Sequence, residues 1–84
     1  MDPVIVSLLR LKVVADNDPG ALARVIERFQ NLNCVPQRVI AEIGTDDKIH
    51  IQIDVCGISE TQLALITQKV AQSTTIIDAH WHRL

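Results

Sequence analysis

Apolar and charged positions alternate along residues 4–15 (VIVSLLRLKVVA), and that period predicts a strand. Leu9, Leu11 and Val13 face one way; Arg10 and Lys12 face the other. Leu8 and Val14 add apolar area to the charged face. The period then lengthens. Leu22, Val25, Ile26, Phe29 and Leu32 recur at three- and four-residue spacing, one stripe of a helix over 19–32, with Arg24, Glu27, Arg28 and Gln30 off it. Between the two periods stands Asp16–Leu22, D-N-D-P-G-A-L. Asp18 is an N-cap candidate, because its carboxylate can accept an N–H of the first turn. Pro19 suits the first helical position, where its missing donor is no loss. Asn31 and Asn33 are candidate terminators, since Asn tolerates the left-handed conformation after a helix.

Alternation returns at 35–43 (VPQRVIAEI) and is strongest at 48–56 (KIHIQIDVC), where Ile49, Ile51, Ile53 and Val55 point inward. Pro36 cannot donate to a ladder, which sends the second strand to a sheet edge. Gly44–Asp47 forms the turn of a hairpin. Two registers keep its faces matched. One sets Glu42 opposite Lys48 and Cys34 opposite Cys56; the other sets Arg38 opposite Asp54. After Gly57, Ser59 and Gln62 match a capping box, and Leu63, Ile66 and Val70 form the stripe of a second helix that ends near 72–73. Residues 75–83 (TIIDAHWHR) read as a last strand, with Ile77, Ala79 and Trp81 on one face and Asp78, His80 and His82 on the other. The order β-α-β-β-α-β, with one apolar stripe per helix, predicts a single α+β domain over 1–84. Its form is ferredoxin-like: a four-stranded antiparallel sheet with both helices on one face.

Composition narrows the function. The chain has 84 residues, a formal charge of −2 and a pI near 5.8, and its aromatics are Phe29 and Trp81 alone. A nucleic-acid binder needs a basic surface and stacking aromatics, so that class is excluded as an expectation. At 48% hydrophobic residues the chain carries more apolar area than a thin core uses, which points to an interface with another subunit. Cys34 and Cys56 are too few for a disulfide framework and lack the electropositive setting of a nucleophile. No signal-peptide pattern opens the chain and no apolar run is long enough for a membrane span, so a cytoplasmic location is expected. His80 and His82 share a strand face with Asp78, which could be part of a metal site; a polar outer face or a dimer contact is the favoured reading. No nucleophile–base pair, phosphate loop or paired carboxylates stand out, so neither catalysis nor a cofactor is expected.

That leaves the D-N-D-P-G turn. By local chemistry it is first of all a capped helix start. It is also a seat for a small amphoteric ligand, whose carboxylate would take the helix N-terminus and whose ammonium would take Asn17 or an acidic neighbour. The run V-V-A-D-N-D-P-G-A-L-A-R-V-I, together with the β-α-β-β-α-β layout, resembles the ACT domain, a regulatory module that binds amino acids. Within that family the turn resembles the start of the regulatory (small) subunit of acetolactate synthase. The resemblance implies an effector site between two protomers, with Asn17, Gly20 and Ala21 as contacts. Valine-sensing small subunits commonly add an asparagine at the start of the second strand; the aligned residue here is Val35. It also implies a homodimer or higher homo-oligomer that modulates a larger catalytic subunit in branched-chain amino-acid biosynthesis. The alternatives are an amino-acid sensor for another enzyme, or a structural or metal-binding dimer built on the His80/His82 strand.

Overall fold

The computed structural model describes residues 8–84, so positions 4–7 of the expected first strand lie outside the described residues. The elements follow the predicted order: β1 (Leu9–Asp16), α1 (Ala21–Gln30), β2 (Arg38–Ile43), β3 (Lys48–Val55), α2 (Glu60–Ala71) and β4 (Ile76–Arg83). The strands form one antiparallel sheet in the order β2-β3-β1-β4. Leu9, Leu11 and Val13 of β1 and Ile51, Ile53 and Val55 of β3 make the floor of the core. Val25 and Phe29 of α1 and Leu63, Ile66 and Val70 of α2 close over it, so both helices lie on one face. The buried strand residues of this core thus all come from the two central strands, where burial returns the most free energy.

The edge strands differ. Pro36 falls just before β2, on the edge that its missing donor requires. No residue of β2 is buried, and its core-side Val39 and Ile43 remain 40% and 56% exposed, so the helix layer stops short of this strand.

The hairpin adopts the register that pairs Arg38 with Asp54 and Glu42 with His50. A three-residue loop decides it. Asp47 N–H donates to the Gly44 carbonyl at 3.0 Å and Gly44 N–H to the Lys48 carbonyl at 2.9 Å, with Asp47 at φ 61°. A side chain at Gly44 would collide with the Asp46 carboxylate and the His50 ring, at 2.7 and 2.8 Å.

Two expectations are corrected. Helix α1 begins at Ala21 with Gly20 at the N-cap and no side chain capping it. Asp18 instead folds its carboxylate onto Gly20 N–H at 3.1 Å, which uses Pro19 and Gly20 as a turn before the helix. In β4 a bulge lies opposite Val14 and Ala15, so Ile76 takes the core-side place expected of Ile77, which is 54% exposed. Helix α2 follows the sequence closely: Ser59 Oγ accepts Gln62 N–H at 3.0 Å and Gln62 Oε1 accepts Ser59 N–H at 2.8 Å.

Candidate functional site

Strand β1 ends beside the tip of the β2–β3 hairpin, and the following turn is tied to that tip. Asn17 is exposed and its Nδ2 donates to Asp47 Oδ1 at 3.1 Å. Asp18 organises the rest. Its Oδ1 accepts Gly20 N–H, its Oδ2 accepts Arg24 Nη1 at 3.1 Å, and its carbonyl accepts Ala21 N–H at 3.0 Å. These contacts hold the Asp18 carboxyl below the ordinary carboxylate range, the Gly20 N–H first, against the opposing effect of burial, with Arg24 adding to it. The Arg24 guanidinium lies over Gly20, where an added Cβ would stand 3.3 Å from Nη2.

The two N–H groups expected to receive a ligand carboxylate, those of Gly20 and Ala21, are therefore occupied by Asp18. The donors left without an acceptor among the described residues are the next two, Leu22 and Ala23. Sequence reasoning missed them because it placed the helix start at Pro19.

A cavity of about 310 Å³ opens at this point. Asn17, Asp18, Pro19 and Leu22 form one wall; Ala41, Glu42, Ile43 and Ile49 form the other. The Asn17 amide and the Asp18 carboxylate stand beside the aliphatic side chains of Leu22, Ala41, Ile43 and Ile49. Ala21 is fully buried and does not line it. Val35 is 85% exposed and borders a different cavity, with Ile26, Gln30, Asn33, Cys34 and Pro36. Within one chain the fold brings Asn17 to Leu22 and β2, and leaves Val35 apart from them. The β2 wall could have been found from sequence only with the hairpin register in hand.

The other constellations are sparser. The His80 and His82 rings stack with centroids 6.4 Å apart, and His80 Nδ1 lies 3.0 Å from Asp78 Oδ2. Among the described residues no group of three or more His, Cys, Asp or Glu is placed to hold a metal ion. Cys34 and Cys56 are free, half-buried thiols. Burial, and then the neighbouring Cys56, push the Cys34 thiol up, the reverse of what a nucleophile needs. On the helix-free face, Arg10 grips the buried Asp54 through Nε–Oδ1 at 2.7 Å and Nη2–Oδ2 at 3.0 Å. Among the described residues no helix is long and apolar enough to cross a membrane.

Comparison with known proteins bears on this geometry. Solved structures share the fold. The C-terminal domain of the MgtC protein from Mycobacterium tuberculosis superposes with a TM-score of 0.77 at 13% identity, covering 100% of this chain and 94% of that one. The ACT domain of GTP pyrophosphokinase from Chlorobium tepidum gives 0.76 at 8% identity, covering 93% and 100%. The regulatory subunit of aspartate kinase from Thermus flavus gives 0.68 at 13% identity, covering 93% of this chain and 52% of that one. At these identities the likeness is one of fold. No curated protein sequence matches the chain. The model of the ACT-like domain family matches residues 5–84, and the chain belongs to that family.

Proposed function

We propose that this chain is a non-catalytic regulatory domain or subunit that binds an amino acid in the cleft between the β1–α1 turn and β2. The observation that carries the reading is the composition of that cleft. Leu22 N–H is open to a carboxylate, the Asp18 carboxylate borders the site for an ammonium, and Leu22, Ala41, Ile43 and Ile49 offer an aliphatic wall. An aliphatic wall suits a branched side chain.

A second copy completes the site on this reading. Leu32, Val35, Val39 and Ile43 are all exposed along the β2 side of the molecule, an apolar stretch beside an unpaired strand edge. Dimerisation there covers it and lets Val35 of one protomer face the turn of the other. Ligand at that boundary favours one protomer arrangement, and a larger catalytic partner feels the difference. The resemblance of the D-N-D-P-G-A-L turn makes cytoplasmic acetolactate synthase the first partner to test; another amino-acid enzyme is the alternative.

Calorimetric titration with the twenty amino acids, repeated on Gly20→Asp, tests the site. The new Cβ meets only the flexible Arg24 guanidinium, so the domain folds, while a second carboxylate beside Asp18 repels the ligand's own. Binding of a branched-chain amino acid that disappears in Gly20→Asp is the expected result. Binding that survives the substitution overturns the assignment. Addition of the chain to an acetolactate synthase catalytic subunit, with its activity followed, tests the partner separately.

A further inference from the structure

A second cavity, of about 320 Å³, opens between α1 and the C-terminal end of α2, in the size range of small-molecule sites. Its lining carries three cations, Arg24, Arg28 and Lys69, against one carboxylate, Glu27, and adds the hydroxyls of Ser73 and Thr75. Arg24 is already paired with Asp18, so Arg28 and Lys69 against Glu27 leave one positive charge, in a chain whose formal total is −2.

Two of the three cations are available. Arg10, Lys48 and Arg83 are tied to Asp54, Asp16 and Glu60, whereas Arg28 and Lys69 have no ion pair among the described residues. The end of α2 would ordinarily oppose an anion with its free carbonyls. Here Gln72 and Ser73 N–H groups cover two of them, the Lys69 and Val70 carbonyls. Ser73 Oγ and Thr75 Oγ1, 3.0 Å apart, share one proton between them, which leaves the other hydroxyl hydrogen free to donate. Two cations without an ion pair among the described residues, one of them an arginine fork, and hydroxyl donors match a dianion with several oxygens better than a single carboxylate.

We infer that this cavity is a binding site for a small phosphate monoester, held by Arg28 and Lys69 with Arg24 as the third cation. It lies apart from the amino-acid cleft and shares one side chain with the turn that borders it. Arg24 lines this cavity and, through Nη1, also holds Asp18 Oδ2. A phosphate that recruits Arg24 draws it from Asp18 and alters the turn at Gly20, so the two sites are linked through one guanidinium.

The test is an amide-resolved NMR titration of the full chain with glycerol 2-phosphate in ~150 mM salt, where diffuse surface attraction is screened. The expected result is saturable shifts at Arg28, Lys69, Ser73 and Thr75, with Gly20 following. Arg28→Gln/Lys69→Gln should weaken binding by roughly tenfold or more. Lys12→Gln/Arg38→Gln, equal in net charge and away from the cavity, should leave it unchanged. Unaltered β1 and β3 resonances certify the fold of each variant. Equal weakening in both double variants overturns the site, as does the absence of saturable shifts. Response to phosphatidylglycerol vesicles with none to the free monoester also overturns it.

Discussion

Helix α1 borders both the cleft proposed for an amino acid, through Leu22, and the cationic cavity, through Arg24 and Arg28, yet only three of its residues are buried: Ala21, Val25 and Phe29. Ala21 is small, so the helix is fastened to the sheet mainly by Val25 and Phe29. Phe29 is fully buried in the main core cluster, and its carbonyl also accepts the N–H groups of Leu32 and Cys34, each at 3.0 Å. Phe29→Ala removes the ring and keeps those backbone bonds. Such truncations cost about 3–5 kcal/mol, transfer and residual cavity together. At about 0.05–0.15 kcal/mol per residue, a chain of 84 residues has roughly 4–13 kcal/mol in all, so the variant is left near its unfolding midpoint or well short of wild-type stability. Phe29→Leu keeps most of the volume and should cost about 1–2 kcal/mol. Urea denaturation gives both numbers, and hydrogen exchange locates the effect. Protection should fall in α1 before it falls in α2, whose Leu63, Ile66 and Val70 remain seated on the sheet. A Phe29→Ala loss under about 1 kcal/mol, or equal loss of protection in both helices, refutes the view that α1 hangs on this ring.

Arg10→Ala strands the Asp54 carboxylate, whose side chain is only 8% exposed, whereas Asp54→Asn leaves Arg10 with water and the Gln52 amide oxygen, which in its satisfied orientation lies 3.2 Å from both Nε and Nη2. Arg10→Ala is therefore the more damaging of the two in urea titrations at neutral pH. The Arg10 hydrogen bonds, ahead of the opposing burial, hold the Asp54 carboxyl below its ordinary value, so its contribution is present above the usual carboxylate range and is lost as pH falls through the depressed folded value. In Arg10→Ala burial prevails and raises that carboxyl, so the gap between variant and wild type should shrink on acidification; a constant gap would show that the pair is not the cause. Ser59→Ala breaks half of the capping box and should cost about 1 kcal/mol, read as a melting temperature about 4–8 °C lower by calorimetry. Ile43→Lys places a charge on the exposed β2 edge and should shift a dimer to monomer in sedimentation velocity, with no loss of the monomer's helix content.

Period and punctuation along the chain were enough to determine the six elements, their order, the edge position of β2 and the box at Ser59–Gln62, because each of these rests on residues close in sequence. Alternation in β1 and β3 marks strands with one buried face whatever lies above them. The turn residues were read correctly as a break, but the exact first residue of α1 was not local. Asp18 had two uses, a helix cap or a turn over Pro19 and Gly20, and only the folded chain, with Arg24 brought onto its second oxygen, selects the turn. The hairpin register was equally open, since both pairings satisfied the faces and offered an opposite-charge pair. The left-handed Asp47 and the close packing around Gly44 decided it. Tertiary structure alone settled which cavities exist, because their walls come from elements distant in sequence: β2 against the first turn, and α1 against the end of α2. The sequence offered Asn17 as a candidate site residue from its neighbours; its placement across a cleft from β2, and the loss of the Gly20 and Ala21 donors to Asp18, are products of packing that no local pattern contains.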